Sequence, residues 1–373
     1  MSSCISAIGT ANPEYRIKQN SILQFMVKAF NLDKNNALRL KKIYDHSGID
    51  YRYSVIPDFG NEDYKDNSFF PKNGSFDPFP CTRQRLQLYQ KNAVAVAENA
   101  VQDCVESMPE DILSTITHLI TVSCTGMHAP GIDIELVERL GLNRSIERTC
   151  INFMGCYGAI NALKSADYIC RADEKAKVLI VCVELCTLHF QKENTLDNWV
   201  ANSLFSDGAA AVVIENTKHR SGKNTSLTLK TFYSEFVHEA HNEMGWYVGN
   251  NGFEMKLTSK VSKLIKKHIK PITEKLLEKS GLSFQDINAF AIHPGGKKIL
   301  EATEIALGIT EEANLFAHDT LRDYGNMSSA TVLYVLKKIM HSDSSAKEEN
   351  ILGFAFGPGL TVESMILERN GDA

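Results

Sequence analysis

Short apolar runs rich in β-branched residues alternate along this chain with longer stretches whose apolar positions recur every three to four residues. No other feature constrains the fold as much, because that alternation favours helices layered on a sheet. The clearest strand signals are Leu119 to Ser123, Val178 to Val183, Ala209 to Ile214, Ala289 to Ile292 and Ile351 to Phe356. The clearest helical ones run from about Arg83 to Glu106, Gly158 to Cys170, Lys260 to Lys279 and Ser328 to Met340. The polar segment Glu215 to Ser226, ENTKHRSGKNTS, interrupts the pattern and reads as a linker. It divides the chain into halves, residues 1–220 and 221–373. Each half holds a strand ending in a reactive-looking residue, a later helix and a pair of strands rich in small residues, a pattern compatible with internal duplication.

A chain of 373 residues, 43% hydrophobic and 23% charged, has material for two domain-sized cores and is neither disordered nor fibrous. A net charge of -5 gives no global attraction to nucleic acid or anionic lipid. No apolar run approaches the roughly 18 residues of a spanning helix, and the start, MSSCISAIGTANP, lacks the regions of a secretion signal. A cytoplasmic protein without nucleic-acid or membrane partners is expected. The nine cysteines form no CxxC pairs and no metal-like cluster, so they are expected as reduced thiols, most of them buried.

One cysteine stands apart. In NFMGCYGAINAL, Cys156 lies where a strand-like run gives way to a helical one, between Gly155 and Gly158. A sulfur near a helix N-terminus is favoured as thiolate, and the glycines allow a tight turn. A core thiol packed at the junction is the alternative. A nucleophile needs a base and donors for developing negative charge. In AFAIHPGG, His293 ends a buried strand and is approachable through Gly295 and Gly296; in DYGNMSSATVLYVL, Asn326 opens a helix, where it could equally be an N-cap.

Taken together, AIGTANP, GCYGA, LFSDGAAA, HPGG, YGNMSSA and GFAFGPGLTVE, in that order over nearly the whole chain, resemble the type III polyketide synthases, the chalcone synthase-like members of the thiolase superfamily. The resemblance implies a five-layered α-β-α-β-α thiolase fold of two similar halves, a homodimer, and a catalytic triad of Cys156, His293 and Asn326. It implies an acyl-CoA starter and malonyl-CoA as substrates, with neither a metal nor a redox cofactor. Cys156 thiolate, paired with imidazolium His293, would carry the acyl chain while His293 and Asn326 stabilise the enolate left by decarboxylation.

The same resemblance implies the pocket. Phe205 matches a gatekeeper phenylalanine and Met255 the second gate, where plant enzymes have phenylalanine. His189 replaces a threonine at a lining position, Trp246 lies near a position usually glycine, and Cys124 and Ser328 also fall on pocket positions. Ala129 stands where plant enzymes project a methionine across the dimer. These departures point away from plant-type chalcone synthesis and towards a bacterial-type product. Arg39, Lys42 and His46, at spacings of three and four, match basic positions that hold coenzyme A phosphates, with His46 in place of the usual lysine. Two alternatives share the fold: a β-ketoacyl-ACP synthase III of fatty-acid initiation, and a catalytically silent acyl-CoA-binding protein. Starter, number of extensions and ring closure are set by cavity shape and are not legible in the sequence.

Overall fold

A computed structural model describes residues 2–221, 225–343 and 348–371. The middle of the expected linker, residues 222–224, lies outside the described residues. The strands are β1 (Ser3–Ala11), β2 (Tyr15–Lys18), β3 (Tyr51–Ser54), β4 (His118–Ser123), β5 (Glu147–Asn152), β6 (Lys177–Leu185) and β7 (Asp207–Asn216). They continue with β8 (Ser226–Phe236), β9 (Met244–Gly249), β10 (Gly252–Leu257), β11 (Ile287–Ile292), β12 (Glu348–Gly357) and β13 (Thr361–Asn370). All five expected strands are present, each longer than expected by one to four residues. Three of the four expected helices match within two residues, as Thr82–Val105, Gly158–Ala172 and Val261–Ser280. The fourth splits into a 3-10 turn, Ser328–Ala330, and the helix Thr331–Met340.

Nine strands form one sheet in the order β11-β12-β13-β8-β1-β7-β6-β4-β5. Its pairing exposes the duplication. Outward from β1, the pairs with β7, β6, β4 and β5 run antiparallel, antiparallel, parallel and parallel. Outward from β8, the pairs with β13, β12 and β11 run antiparallel, antiparallel and parallel. The halves meet where Ser3–Ile5 of β1 pair antiparallel with Leu227–Leu229 of β8. The helices repeat as well: Thr82–Val105 precedes β4 as Val261–Ser280 precedes β11, and Gly158–Ala172 precedes β6 as Thr331–Met340 precedes β12.

Burial follows the period of two that a strand imposes. Ile180, Cys182, Val212 and Ile214 face the core containing the helix Gly158–Ala172, whereas Leu179, Val181, Ala211 and Val213 face the one containing Thr82–Val105. Strands covered on both faces read as continuous apolar runs, which is why these were legible. The helices Gly158–Ala172 and Thr331–Met340 touch strands of both halves and form the middle layer, with Thr82–Val105 and Val261–Ser280 outside. This is the five-layered thiolase-like arrangement. None of the helices is long and apolar enough to cross a membrane, among the described residues.

Candidate active site

Three loops converge beside the middle layer. After β5 the backbone passes through Phe153 at φ 58° and Gly155 at φ 78°, and Cys156 sits in the 3-10 turn Gly155–Tyr157 that runs into the helix Gly158–Ala172. Gly155 is required twice over, since its φ is left-handed and an added Cβ would stand 2.4 Å from Cδ of Pro358. His293 follows β11 directly, and its backbone N–H donates to the Phe354 carbonyl at 2.8 Å. Asn326 is held by its backbone, which donates to Leu204 O and accepts from Ser206 N, both at 2.9 Å.

The Asn326 side chain joins the loops. Its Nδ2 donates to Gly295 O at 3.3 Å, two residues beyond His293, and its Oδ1 accepts from Ser328 N at 2.8 Å. The side chains of Asn326 and Ser328 stand close enough to the Cys156 sulfur to lower its pKa. A Cβ on Gly295 would lie 3.7 Å from His293 Nε2, so the imidazole faces this same loop. Asn326 thus stands beside Cys156 and is bonded to the loop that carries His293. The N-cap alternative is partly realised: Ala330 precedes the helix Thr331–Met340 without a side-chain cap, while Asn326 caps the Ser328 N–H of the preceding 3-10 turn.

Burial bears on the charge of both groups. Burial pushes the Cys156 thiol up to about 12, with the Glu184 carboxylate adding to the rise and hydrogen bonds from Ser328 and Asn326 opposing it. Burial also pulls the His293 imidazole down to about 3, and both ring nitrogens are buried without a partner among the described residues. Desolvation thus opposes the field of the helix N-terminus and disfavours the charged form of both groups, against the expected thiolate and imidazolium.

Glu184 was not singled out from the sequence. It is fully buried, its Oε2 accepting from Cys124 N at 2.9 Å and Thr125 Oγ at 2.8 Å, its Oε1 from Ser329 Oγ at 2.5 Å. Burial raises its carboxyl to about 7 despite those bonds. The signal was available: in KVLIVCVEL, Glu184 is the one acid in a strand otherwise apolar beyond its first residue. A buried carboxylate in such a run must be bonded by something outside it.

Among the predicted pocket residues, Phe205, Met255, His189 and Trp246 line one cavity together with Met26 and Phe59. Cys156, His293 and Asn326 do not line it; Phe205 belongs to both regions, since its backbone bridges that of Asn326. His189 is a fixed wall. Its Nδ1 accepts from Phe253 N at 2.9 Å, which leaves Nε2–H to donate to Thr125 O at 2.6 Å, and its ring stacks on Phe253 at 4.2 Å. Burial lowers its pKa to about 3. Trp246 crosses His189 edge-on and donates Nε1–H to Cys124 O at 2.7 Å, and Met255 sits opposite it in the β9–β10 hairpin. Cys124 is buried outside this cavity, its sulfur accepting from Gly155 N at 3.0 Å. Ser328, at φ 47°, belongs with Cys156.

Arg39 and Lys42 are exposed on the helix Lys34–Asp45, and His46 falls just past its end, donating Nδ1–H to Lys42 O at 2.8 Å. Ala129 is exposed. No group of three His, Cys, Asp or Glu side chains could hold a metal ion, among the described residues.

Comparison with known proteins gives this geometry its context. Residues 2–217 match the family described as chalcone and stilbene synthases, N-terminal domain, and residues 228–370 match its C-terminal domain. The chain is 32% identical to the alpha-pyrone synthesis polyketide synthase-like Pks18 of Mycobacterium tuberculosis, over 98% of this chain and 90% of that protein. Its fold matches the crystal structure of the C-terminal type III polyketide synthase domain of Steely1, a type I/III hybrid from Dictyostelium, with a TM-score of 0.90 and 27% identity over 100% of both chains. PKS-I from the brown alga Ectocarpus siliculosus follows with a TM-score of 0.88 and 28% identity, over 99% of this chain and 98% of that one.

Proposed function

This chain belongs to the chalcone and stilbene synthase family, the type III polyketide synthases, and we propose that it works through Cys156 as nucleophile, His293 as proton acceptor and Asn326 as second hydrogen-bond donor. As a type III polyketide synthase it condenses malonyl-CoA onto an acyl-CoA starter, an acyltransferase reaction run on coenzyme A thioesters. Burial favours neutral Cys156 and neutral His293, and that defines how the first step must go. Moving the proton from sulfur to imidazole makes a contact ion pair in which each charge offsets the desolvation of the other. The thiolate attacks the starter carbonyl, the C–S bond to coenzyme A breaks, and the departing thiolate takes the proton from His293.

Malonyl-CoA then binds with its thioester carbonyl at His293 and Asn326. The bond to the carboxylate breaks, its electron pair passes into the enolate, and carbon dioxide leaves. The enolate carbon attacks the acyl-cysteine carbonyl and expels Cys156 thiolate, ready for the next round. The observation that carries this reading is His293: two buried ring nitrogens, unpartnered among the described residues, beside a loop whose carbonyl holds Asn326. A buried polar group left open in this way is a site for a ligand's atoms.

The remaining assignments belong to the same proposal. Residues 1–220 supply the nucleophile and 221–373 the two donors, Phe205 and Met255 gate the cavity, and Arg39, Lys42 and His46 meet coenzyme A. The active unit is a homodimer, supported by β5, which ends the sheet with its outer edge unpaired among the described residues and nearly every residue exposed. A cytoplasmic location is supported by nine cysteines that all stand as free thiols. The test is product mass spectrometry after incubation with malonyl-CoA, alone and with aromatic and fatty acyl-CoA starters. Products longer than the starter by two-carbon units that disappear in Cys156→Ala are expected; a Cys156→Ala protein that still elongates would sink the assignment.

A further inference from the structure

Gly48 lies two residues beyond His46, exposed, with a left-handed φ of 74°. The aliphatic stem of Lys297 runs across it: a Cβ on Gly48 would stand 3.4 Å from Lys297 Cδ, 3.5 Å from its Cβ and 3.7 Å from its Cγ. Lys297 opens the helix Lys297–Leu307, and only Pro294, Gly295 and Gly296 separate it from His293. The outer end of the His293 loop is therefore laid against the end of the helix that carries Arg39 and Lys42.

The charges at this junction are unevenly neutralised. Asp45 is taken by Lys41, whose Nζ donates to both carboxylate oxygens at 2.8 and 2.6 Å. Glu301, one turn along from Lys297, stands 4.0 Å from its Nζ, beyond hydrogen-bond distance. Among the described residues no carboxylate forms an ion pair with Arg39 or Lys42, and no other forms one with Lys297. His46 has committed Nδ1–H to Lys42 O.

We propose that Lys297 is a further binding residue for the coenzyme A carrier, its ammonium meeting a phosphate oxygen alongside Lys42 and Arg39. This rests on the reading that the end of the helix Lys34–Asp45 receives those phosphates. Lys297 supplies a positive charge beside position 46, where the family resemblance expects lysine and this chain has histidine. Packing of its stem on Gly48 holds the ammonium at the rim and lowers the entropy lost on binding. The contact is to the carrier, so it is shared by starter and extender and silent towards thioesters without phosphate.

The test compares Lys297→Gln, Lys297→Arg and Lys42→Gln in the full chain, with malonyl-CoA and with the malonyl thioester of N-acetylcysteamine, which has no phosphate. Lys297→Gln should raise the KM for malonyl-CoA about three- to fivefold, as for one exposed charged contact, with the effect on KM and not kcat. The dependence of KM on salt should become shallower, and Lys297→Arg should restore both. Turnover of the N-acetylcysteamine thioester should stay at the wild-type level. If Lys42→Gln raises KM and Lys297→Gln does not, Lys297 is overturned and the phosphate rim stands. If neither does, the rim reading itself fails. Equal loss with the phosphate-free thioester overturns the proposal by assigning Lys297 to structure.

Discussion

The two halves of the molecule answer each other position by position, and they put opposite chemistry at the matching places. Cys124 follows β4 directly, and His293 follows the matching β11. Cys156 sits two residues ahead of the helix Gly158–Ala172, and Ser329 two ahead of the matching Thr331–Met340, each preceded by a residue at positive φ, Gly155 and Ser328. The first half bonds its strand-end residue to Glu184, and not its helix-entry sulfur. The second half leaves its strand-end imidazole open and bonds the helix-entry hydroxyl. One carboxylate ties down the two bonded members, since Glu184 accepts from Cys124 N and from Ser329 Oγ. Of the four matching positions the buried acid bonds one diagonal, Cys124 and Ser329, and the other, Cys156 and His293, is the one proposed to react.

The sharpest way to break this comparison is across the diagonals. His293→Ala should abolish both carbon dioxide release from malonyl-CoA and polyketide formation, whereas Cys156→Ala should abolish product yet keep measurable carbon dioxide release. Loss of that release in Cys156→Ala would mean that the two jobs are not divided between the halves. Asn326→Ala comes next, with release slowed about a hundredfold as for one lost oxyanion donor. If Asn326 is only a cap, the variant would instead lose about 1 kcal/mol of stability with decarboxylation near wild type.

Glu184→Gln tests the buried acid. Its amide can keep the three bonds, with oxygen towards Cys124 and Thr125 and nitrogen towards Ser329. Folding raises the carboxyl from an ordinary 4.5 to about 7, so its stabilising share is full below pH 4.5 and is lost as pH rises to 7, on the order of 3 kcal/mol. His293 and His189, both lowered to about 3, act oppositely and lose stability as pH falls below 6.5. The Tm difference, Glu184→Gln minus wild type, should therefore grow from pH 5 to 7 and then level. Iodoacetamide should also modify Cys156 faster in the variant above pH 7, because the carboxylate that raises its pKa is gone. A pH-independent Tm difference would remove the buried charge from the account. The smallest effect is expected at Cys124→Ala, roughly 1 kcal/mol of stability with product formation retained.

What the sequence disclosed follows the same division. Strands such as β6, buried on both faces, announce themselves by apolar runs, and Thr82–Val105 by its period. β1, SCISAIGTA, carries no such signal, because its place at the centre is set by β7 and β8 and not by its own residues. The candidate nucleophile was visible locally, through Gly155, Cys156 and Gly158. Its partners were placed with it only through the resemblance, since His293 and Asn326 reach Cys156 by the crossing of two halves. The desolvation of Cys156 and His293 was hidden for a related reason: it comes from neighbours remote in sequence, while the helix terminus that favours a thiolate is local.

The three-residue seam between β1 and β8 also sets an order of events during synthesis. Ser3 pairs with Asn216 and with Leu229, so β1 waits for partners made about 200 residues later. At ribosomal speed that is roughly 10 to 40 s in which an apolar strand is without its sheet. Contacts of such sequence separation are also the slow ones to close. The join between the two halves therefore cannot begin until residues 227–229 are made, and until then the nascent protein depends on whatever keeps that strand from pairing elsewhere.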